Sequence, residues 1–114
     1  MVLSISATQA VRLWHDVHLD LVKSGEPDLS ARQITILLTI YLEAPPHTVR
    51  DLASKLAVTK PVITRALDAM GKLELVTRRR DTADRRNVLV QRTVGGALYL
   101  ERLSATVVNH GKAL

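Results

Sequence analysis

The chain has 114 residues, a net charge of +5 and no cysteine, which excludes disulfide-stabilised folds and thiol-based redox sensing. It is 46% hydrophobic but only 3% aromatic. This composition favours a single domain over residues 1–114 with an aliphatic core, and it argues against the base stacking used by RNA and single-strand binders. The first ten residues have neither a basic start nor a long apolar run, so we expect a cytoplasmic protein without a signal peptide or membrane span.

The first predicted helix covers about Ser6 to Val22. Apolar residues recur along it every three or four positions and form a band broad enough to contact both its own domain and a second chain. Trp14 and His18 lie in this band, so we expect them in the core or in a dimer interface. Pro27 prevents the helix from continuing. We therefore assign residues 4–23 to a dimerisation helix.

A capping box predicts the start of the second helix at Ser30, with Gln33 three residues further on. The helix is apolar on nearly every side, which indicates a central, buried position. Two successive prolines, Pro45 and Pro46, end it because they supply no backbone donors.

The next segment is typical of a helix-turn-helix. Thr48 is expected to cap the third helix, and Ala57 with Val58 occupies a tight turn. Thr59 is expected to cap the fourth helix, the recognition helix at about residues 59–70. Its predicted inward-facing residues are Val62, Ile63, Ala66, Leu67 and Met70.

An arginine-rich hairpin, or wing, follows at about residues 78–88. Its predicted arms are Leu75–Arg78 and Val88–Arg92, and Asp81–Asp84 supplies turn-forming side chains at the tip. Residues 50–92 carry eleven basic and five acidic side chains, a net charge of +6 within a chain whose total is +5. A basic segment that coincides with a helix-turn-helix indicates a surface for binding polyanions.

The last predicted helix, within residues 93–112, is capped by Thr93 and weakened at its start by Gly95 and Gly96. Its apolar residues and those of the first helix are expected to form a homodimer interface. The dimerisation residues are Val11, Trp14, Leu21, Leu100, Leu103 and Val107.

Three stretches resemble one family, the multiple-antibiotic-resistance regulator (MarR) family of bacterial transcription factors: Leu29–Gln33, Val49–Asp68 and Leu75–Arg86. The Asp-Arg-Arg at positions 84–86, before a β-prone run, is the most specific of these. The resemblance covers roughly residues 29–100 and implies a winged helix-turn-helix with about five helices, mainly α with a small β-hairpin. It also implies a homodimeric regulator, most simply a repressor, that binds near-palindromic double-stranded DNA.

The chain departs from the family pattern in three places. It has room for only one of the two C-terminal helices that usually complete the dimer, so it resembles a short form. The glycine that precedes the first wing strand is displaced to Gly71. Arg92 and Thr93 stand where a leucine and a threonine usually follow the second wing strand.

The resemblance implies that the polar face of the fourth helix enters the major groove and that the wing contacts the minor groove. Arg65 is the best candidate for a bidentate guanine contact, and Lys60 for a phosphate contact. Asp68 is expected either to pair with Arg65, one turn away, or to contact no base. In the wing, the family pattern pairs Asp84 with Arg86, so that the acid orients the arginine. The complete set of expected DNA-binding residues is Thr48, Arg50, Thr59, Lys60, Thr64, Arg65, Arg78, Arg80, Asp84, Arg85 and Arg86.

No catalytic nucleophile, carboxylate pair or phosphate-binding glycine loop is recognisable, so we expect no enzyme activity, no cofactor and no metal. A small anionic or aromatic effector is a further expectation, which rests on Arg12 and His15 of the first helix together with Trp14 and His18. Two alternatives remain open. One is a truncated winged-helix module that pairs with another regulator and binds DNA weakly, and the other is an architectural protein without sequence preference.

Overall fold

A computed structural model describes residues 4–114 and contains five helices and one two-stranded antiparallel sheet. This confirms the predicted mainly α architecture. Contacts between Cα atoms group Leu29–Leu100 into one compact unit, which we call the central unit. Residues up to Asp28 and Glu101–Leu114 form a second, the terminal unit. In chain order the elements are α1 (Ala7–Lys23), α2 (Ala31–Leu42), α3 (Val49–Leu56), α4 (Lys60–Lys72), β1 (Val76–Arg80), β2 (Val88–Arg92) and α5 (Val94–Lys112).

The core of the central unit is aliphatic, as the composition predicts. The capping box at the start of α2 is confirmed: the Gln33 amide donates to Ser30 Oγ at 3.1 Å, and Gln33 Oε1 accepts from the Ser30 amide at 2.9 Å. Helix α2 is buried along its middle, whereas Leu42 at its end is exposed. The largest fully buried side chains are Ile36, Leu37, Ile40, Leu52, Ile63, Leu67 and Met70.

Helices α3 and α4 form the predicted helix-turn-helix. The Asp51 amide donates to Thr48 Oγ1 at 3.0 Å, which confirms the cap of α3. Ala57 adopts a left-handed conformation with φ of 56°, so the chain reverses within a single residue before α4.

Thr59 is the N-cap residue of α4, as predicted, but its hydroxyl accepts no hydrogen bond from the helix. Pro61 has no amide hydrogen, and the Val62 amide donates instead to the Thr59 backbone carbonyl at 3.1 Å. The two amides that a capping side chain would normally bind are therefore absent or already used.

The wing is a regular antiparallel hairpin in which Arg78 pairs with Val90 and Arg80 with Val88. The segment before α3 extends this sheet through a bridge between Thr48 and Leu89, and the Val90 amide donates to the His47 carbonyl at 2.8 Å. Because of this bridge, the base of the wing is joined to the helix-turn-helix by backbone hydrogen bonds.

A hydrogen-bond network at the base of the wing involves Tyr41, Arg92 and Thr93. The Arg92 guanidinium donates to the carbonyls of Ile40 at 2.8 Å and Tyr41 at 3.0 Å, and it lies 5.2 Å from the centre of the Tyr41 ring. The Tyr41 hydroxyl donates to the Thr93 carbonyl at 2.6 Å and accepts from the Thr93 amide at 3.2 Å. Arg92, which departs from the family pattern, thus binds the carbonyls at the end of α2, and Thr93 binds the Tyr41 hydroxyl.

Helix α5 begins where this network ends. Thr93 Oγ1 accepts from the Gly96 amide at 2.9 Å, which confirms the predicted cap, and donates to the Glu74 carbonyl at 2.7 Å. A Cβ atom at Gly95 would lie 2.7 Å from that carbonyl, and one at Gly96 would lie 2.6 Å from the Tyr41 hydroxyl. The glycines do more than weaken the helix, because the close approach of these segments requires them.

The terminal unit contains α1 and the later turns of α5. Arg102 forms an ion pair with Glu26, and His110 Nε2 lies 2.5 Å from Asp20 Oδ2. Of the two places expected for Trp14 and His18, the core of the single chain is excluded, and the dimer interface stays a prediction. Trp14 is 67% exposed, and His18, also exposed, packs against it with ring centres 4.4 Å apart.

Candidate nucleic-acid interface

The outward face of α4 is polar and exposed, as predicted. Ile63, Ala66, Leu67 and Met70 are buried, whereas Thr59, Lys60, Thr64 and Arg65 lie on the opposite, exposed face. Within residues 4–114, no carboxylate forms an ion pair with Lys60 or Arg65. These two cations are therefore available to an external polyanion.

Asp68 has a different partner from the one predicted. The expected pair with Arg65 is wrong, because Asp68 Oδ1 lies 2.6 Å from Nη2 of Arg78 in β1. Side chains alternate along a strand, so Arg78 shares a face with Val76 and Val90, and both valines are buried. Arg78 is consequently directed towards α4, where it forms an ion pair with the helix.

The tip of the wing places Arg86 against Asp84, as the resemblance implies. Arg86 Nε donates to Asp84 Oδ1 at 3.0 Å and Nη2 donates to Oδ2 at 3.1 Å, so the contact is bidentate. This hydrogen bond, the Arg86 amide and the positive charge of Arg50 hold the pKa of Asp84 below its usual value. The Arg86 side chain remains 82% exposed, so the guanidinium is oriented by the carboxylate without being buried.

Further hydrogen bonds make the wing tip a defined loop. The Ala83 amide donates to Asp81 Oδ1 at 2.9 Å, which confirms the predicted turn-forming role of this aspartate. Arg80 Nη1 donates to the Arg85 carbonyl at 2.8 Å, while the side chain of Arg85 is exposed. Arg80 and Arg85 therefore differ: the Arg80 side chain stabilises the loop by this hydrogen bond, whereas the Arg85 side chain faces solvent.

Two other expected DNA-binding residues lie at the start of α3. Arg50 is exposed in the first turn, and its charge acts on Asp84 across the gap to the wing. Thr48 is only 8% exposed and its hydroxyl accepts from the Asp51 amide. The side chain of Thr48 therefore serves the cap of α3 and not the exposed face.

The expected dimerisation residues are exposed or half-buried in the single chain. Val11 and Trp14 of α1 are exposed, Leu21 is half-buried, and Leu100 and Leu103 of α5 are half-buried. Val107 is exposed. Apolar residues that the single chain leaves uncovered suit an interface between chains, and the dimer stays a prediction.

The expected effector residues do not form one enclosed cavity. Arg12 and His15 line an open depression along α1 together with Ala7, Thr8 and Val11, whereas Trp14 and His18 are not among the residues lining it. The effector remains a prediction. Among residues 4–114, no group of three or more potential metal ligands comes together, and no helix is long and apolar enough to cross a membrane.

The sequence did not predict two contacts, the Asp68–Arg78 ion pair and the network around Tyr41 and Arg92. The second joins residues about fifty positions apart, which no local periodicity links. Strand alternation from buried Val76 places Arg78 on the helix-facing side of β1, but it does not select Asp68 as its partner.

Comparison with known proteins agrees with this geometry. The family model described as the MarR family matches residues 29–88. The chain belongs to the MarR family. This assignment covers the helix-turn-helix and most of the wing. Among curated proteins, none matches the chain by sequence.

Solved structures of MarR-family and related transcriptional regulators share the fold. A mutant of S. aureus MepR is 18% identical with a TM-score of 0.74, over 96% of this chain and 82% of its own. CouR of Rhodococcus jostii RHA1, bound to a 23-mer DNA duplex, is 23% identical with a TM-score of 0.72, over 93% and 72%. BldR from Sulfolobus solfataricus is 29% identical with a TM-score of 0.64, over 89% and 68%.

Proposed function

We propose that this MarR-family protein is a transcriptional repressor that binds near-palindromic double-stranded DNA as a homodimer. One observation carries the proposal: α4 exposes Lys60 and Arg65 without ion-pair partners, and the wing exposes Arg86 already oriented by Asp84. The helix supplies contacts to base edges and the wing supplies a fixed cation. CouR, which shares this fold, has been solved on a DNA duplex, and so has MepR.

Each element has a distinct chemical role in this proposal. Arg65 offers two parallel N–H donors, which match the two acceptors of guanine in the major groove. Lys60, in the first turn of α4, is a point charge suited to a phosphate. Arg86 suits a narrow minor groove, where the negative potential is enhanced, and the Asp84 contact limits the freedom it loses on entering.

The homodimer supplies what one chain lacks. A single recognition helix contacts only a few base pairs, whereas two helices about 34 Å apart contact successive turns of duplex and require a near-palindromic site. The uncovered apolar residues of α1 and α5 provide the material for an interface, and a stable one buries on the order of 1,600 Å² in total. We therefore assign the interface to Val11, Trp14, Leu21, Leu100, Leu103 and Val107.

Selection from a pool of random 30-bp duplexes tests the proposal. A sequence-specific regulator enriches a near-palindrome that it binds about 10³-fold or more tightly than the starting pool. Affinity should fall steeply with salt, because phosphate contacts release counterions. Lys112→Ala, in the last turn of α5, is the matched control for removal of a cation and should leave the affinity for the enriched duplex unchanged.

The same experiment distinguishes the two alternatives. An architectural DNA binder would bind the starting pool and the enriched pool equally. A winged-helix module that acts through another regulator would bind neither pool at moderate salt. Either result would overturn the proposed function.

A further inference from the structure

We propose that Asp68 is a positioning residue, whose carboxylate holds Arg78 and so fixes the wing against the recognition helix. Arg78 then serves this contact and does not bind a phosphate. The inference rests on the proposed function, since it assigns how the two DNA-contacting elements keep their relative position.

The ion pair closes a short loop between α4 and β1. Helix α4 ends at Lys72, and β1 starts at Val76 after a turn in which Glu74 has a positive φ of 60°. The Leu75 amide donates to the Met70 carbonyl at 3.0 Å, which anchors the start of this turn. Beyond it, the contact at 2.6 Å between Asp68 and Arg78 connects the outward face of the helix to the middle of the strand.

The charge of Asp68 makes its position informative. It is the only acidic residue of α4, and it follows Thr64 and Arg65 by one turn on the exposed face. An unpaired carboxylate here would repel DNA phosphates, and its partner Arg78 neutralises it. If Arg78 turned to a phosphate, that carboxylate would be left uncompensated beside the DNA.

Two interpretations of Asp68 therefore predict opposite signs for one substitution. If Asp68 acts only through its negative charge, Asp68→Asn removes a repulsion and tightens DNA binding. If Asp68 positions the wing, Asp68→Asn releases Arg78 and weakens binding. Both side chains are partly exposed, at 54% for Asp68 and 31% for Arg78, so the substitution leaves the core intact.

We expect Asp68→Asn to weaken binding to the enriched duplex about three- to fivefold per half-site, the upper part of the range for one partly exposed ion pair. Arg78→Ala should weaken binding more than Asp68→Asn, because it also leaves the Asp68 carboxylate uncompensated, and the salt slope should be unchanged. Lys60→Ala, the control for a phosphate contact, should lower the magnitude of the slope by about 0.9 per half-site, or about 1.8 for the dimer. The double variant Asp68→Asn with Arg78→Ala should bind like Asp68→Asn, because the contact is lost in both and neither keeps an uncompensated carboxylate at position 68. Asp68→Glu, which keeps the charge, should restore most of the affinity.

Combining Asp68→Asn with Arg86→Ala distinguishes a residue that positions the wing from one that only stabilises the fold. In the Asp68→Asn background, Arg86→Ala should cost less affinity than in the parent, since a displaced wing no longer places Arg86 correctly. A purely structural role would lower the midpoint of thermal unfolding and leave the two losses additive.

The inference is overturned if Asp68→Asn binds as tightly as the parent or more tightly, or if its loss is additive with that of Arg86→Ala. If the parent protein enriches no duplex, both the proposed function and this inference are overturned. If the parent enriches a duplex and Asp68→Asn binds that duplex with the same affinity, only the inference is overturned.

Discussion

Gly96→Ala should destabilise the protein, although helix propensity alone predicts the reverse. Gly96 lies in the first turn of α5, where replacing glycine by alanine normally stabilises by about 1 kcal/mol. In the structure, a Cβ atom at this position would overlap the Leu75 carbonyl and would lie 2.6 Å from the Tyr41 hydroxyl. The backbone at the base of the wing would have to move.

The expected loss is about 2–4 kcal/mol. Forcing an extra methyl group into a packed site costs about 1–3 kcal/mol. Displacing the Tyr41 hydroxyl weakens its two hydrogen bonds to Thr93, each with a net contribution of about 1 kcal/mol. These losses outweigh the gain in helix propensity, so the sign is reversed.

Urea unfolding followed by helical circular dichroism measures the change, because Trp14 is exposed and its fluorescence would report the transition poorly. Gly71→Ala in α4 is the matched control: it is also helical, but outside its chain neighbours and the local helix backbone no atom lies within 4 Å of its added Cβ. This control should gain about 0.5–1 kcal/mol. If Gly96→Ala proves as stable as the parent or as Gly71→Ala, the argument from close packing is wrong.

The other predictions concern DNA binding and assembly. Arg65→Ala should weaken binding to the preferred duplex by about 1–3 kcal/mol and relax the base preference at one position per half-site, whereas Lys60→Ala should weaken binding to all duplexes alike. If Arg65→Ala keeps the base preferences of the parent, Arg65 does not contact a base. Arg86→Ala should lower the affinity for DNA about tenfold with unchanged thermal stability, and Asp84→Ala should lower it less. If both variants bind as tightly as the parent, the wing has no role in DNA binding. Leu103→Asp should dissociate the dimer and weaken DNA binding together. Sedimentation measures the oligomeric state, and fluorescence anisotropy of a labelled duplex measures DNA binding. A parent protein that is monomeric at tens of micromolar would contradict the dimer.

The elements were predictable from the sequence because their local patterns were strong. The Ser30–Gln33 capping box and the buried stripe of α4 depend on residues three or four apart, and the structure confirms both. The Asp84–Arg86 contact was implied by the resemblance to the MarR family, and the structure confirms it. The predictions that failed concern partners distant in sequence, or side chains that compete for one partner. Nothing local favours Arg78 over Arg65 as the partner of Asp68.

The distribution of arginine partners shows why total charge overstates the DNA contacts available. Of the eleven cations in residues 50–92, Lys55 lies 3.0 Å from Glu43, and Arg78 is paired with Asp68. Arg92 donates to the carbonyls at the end of α2. Each of these would lose an existing contact before reaching a phosphate, whereas Lys60 and Arg65 would lose none. The salt dependence of binding should therefore reflect the unpaired cations of α4 and the oriented arginine of the wing, and not the full basic content of the segment.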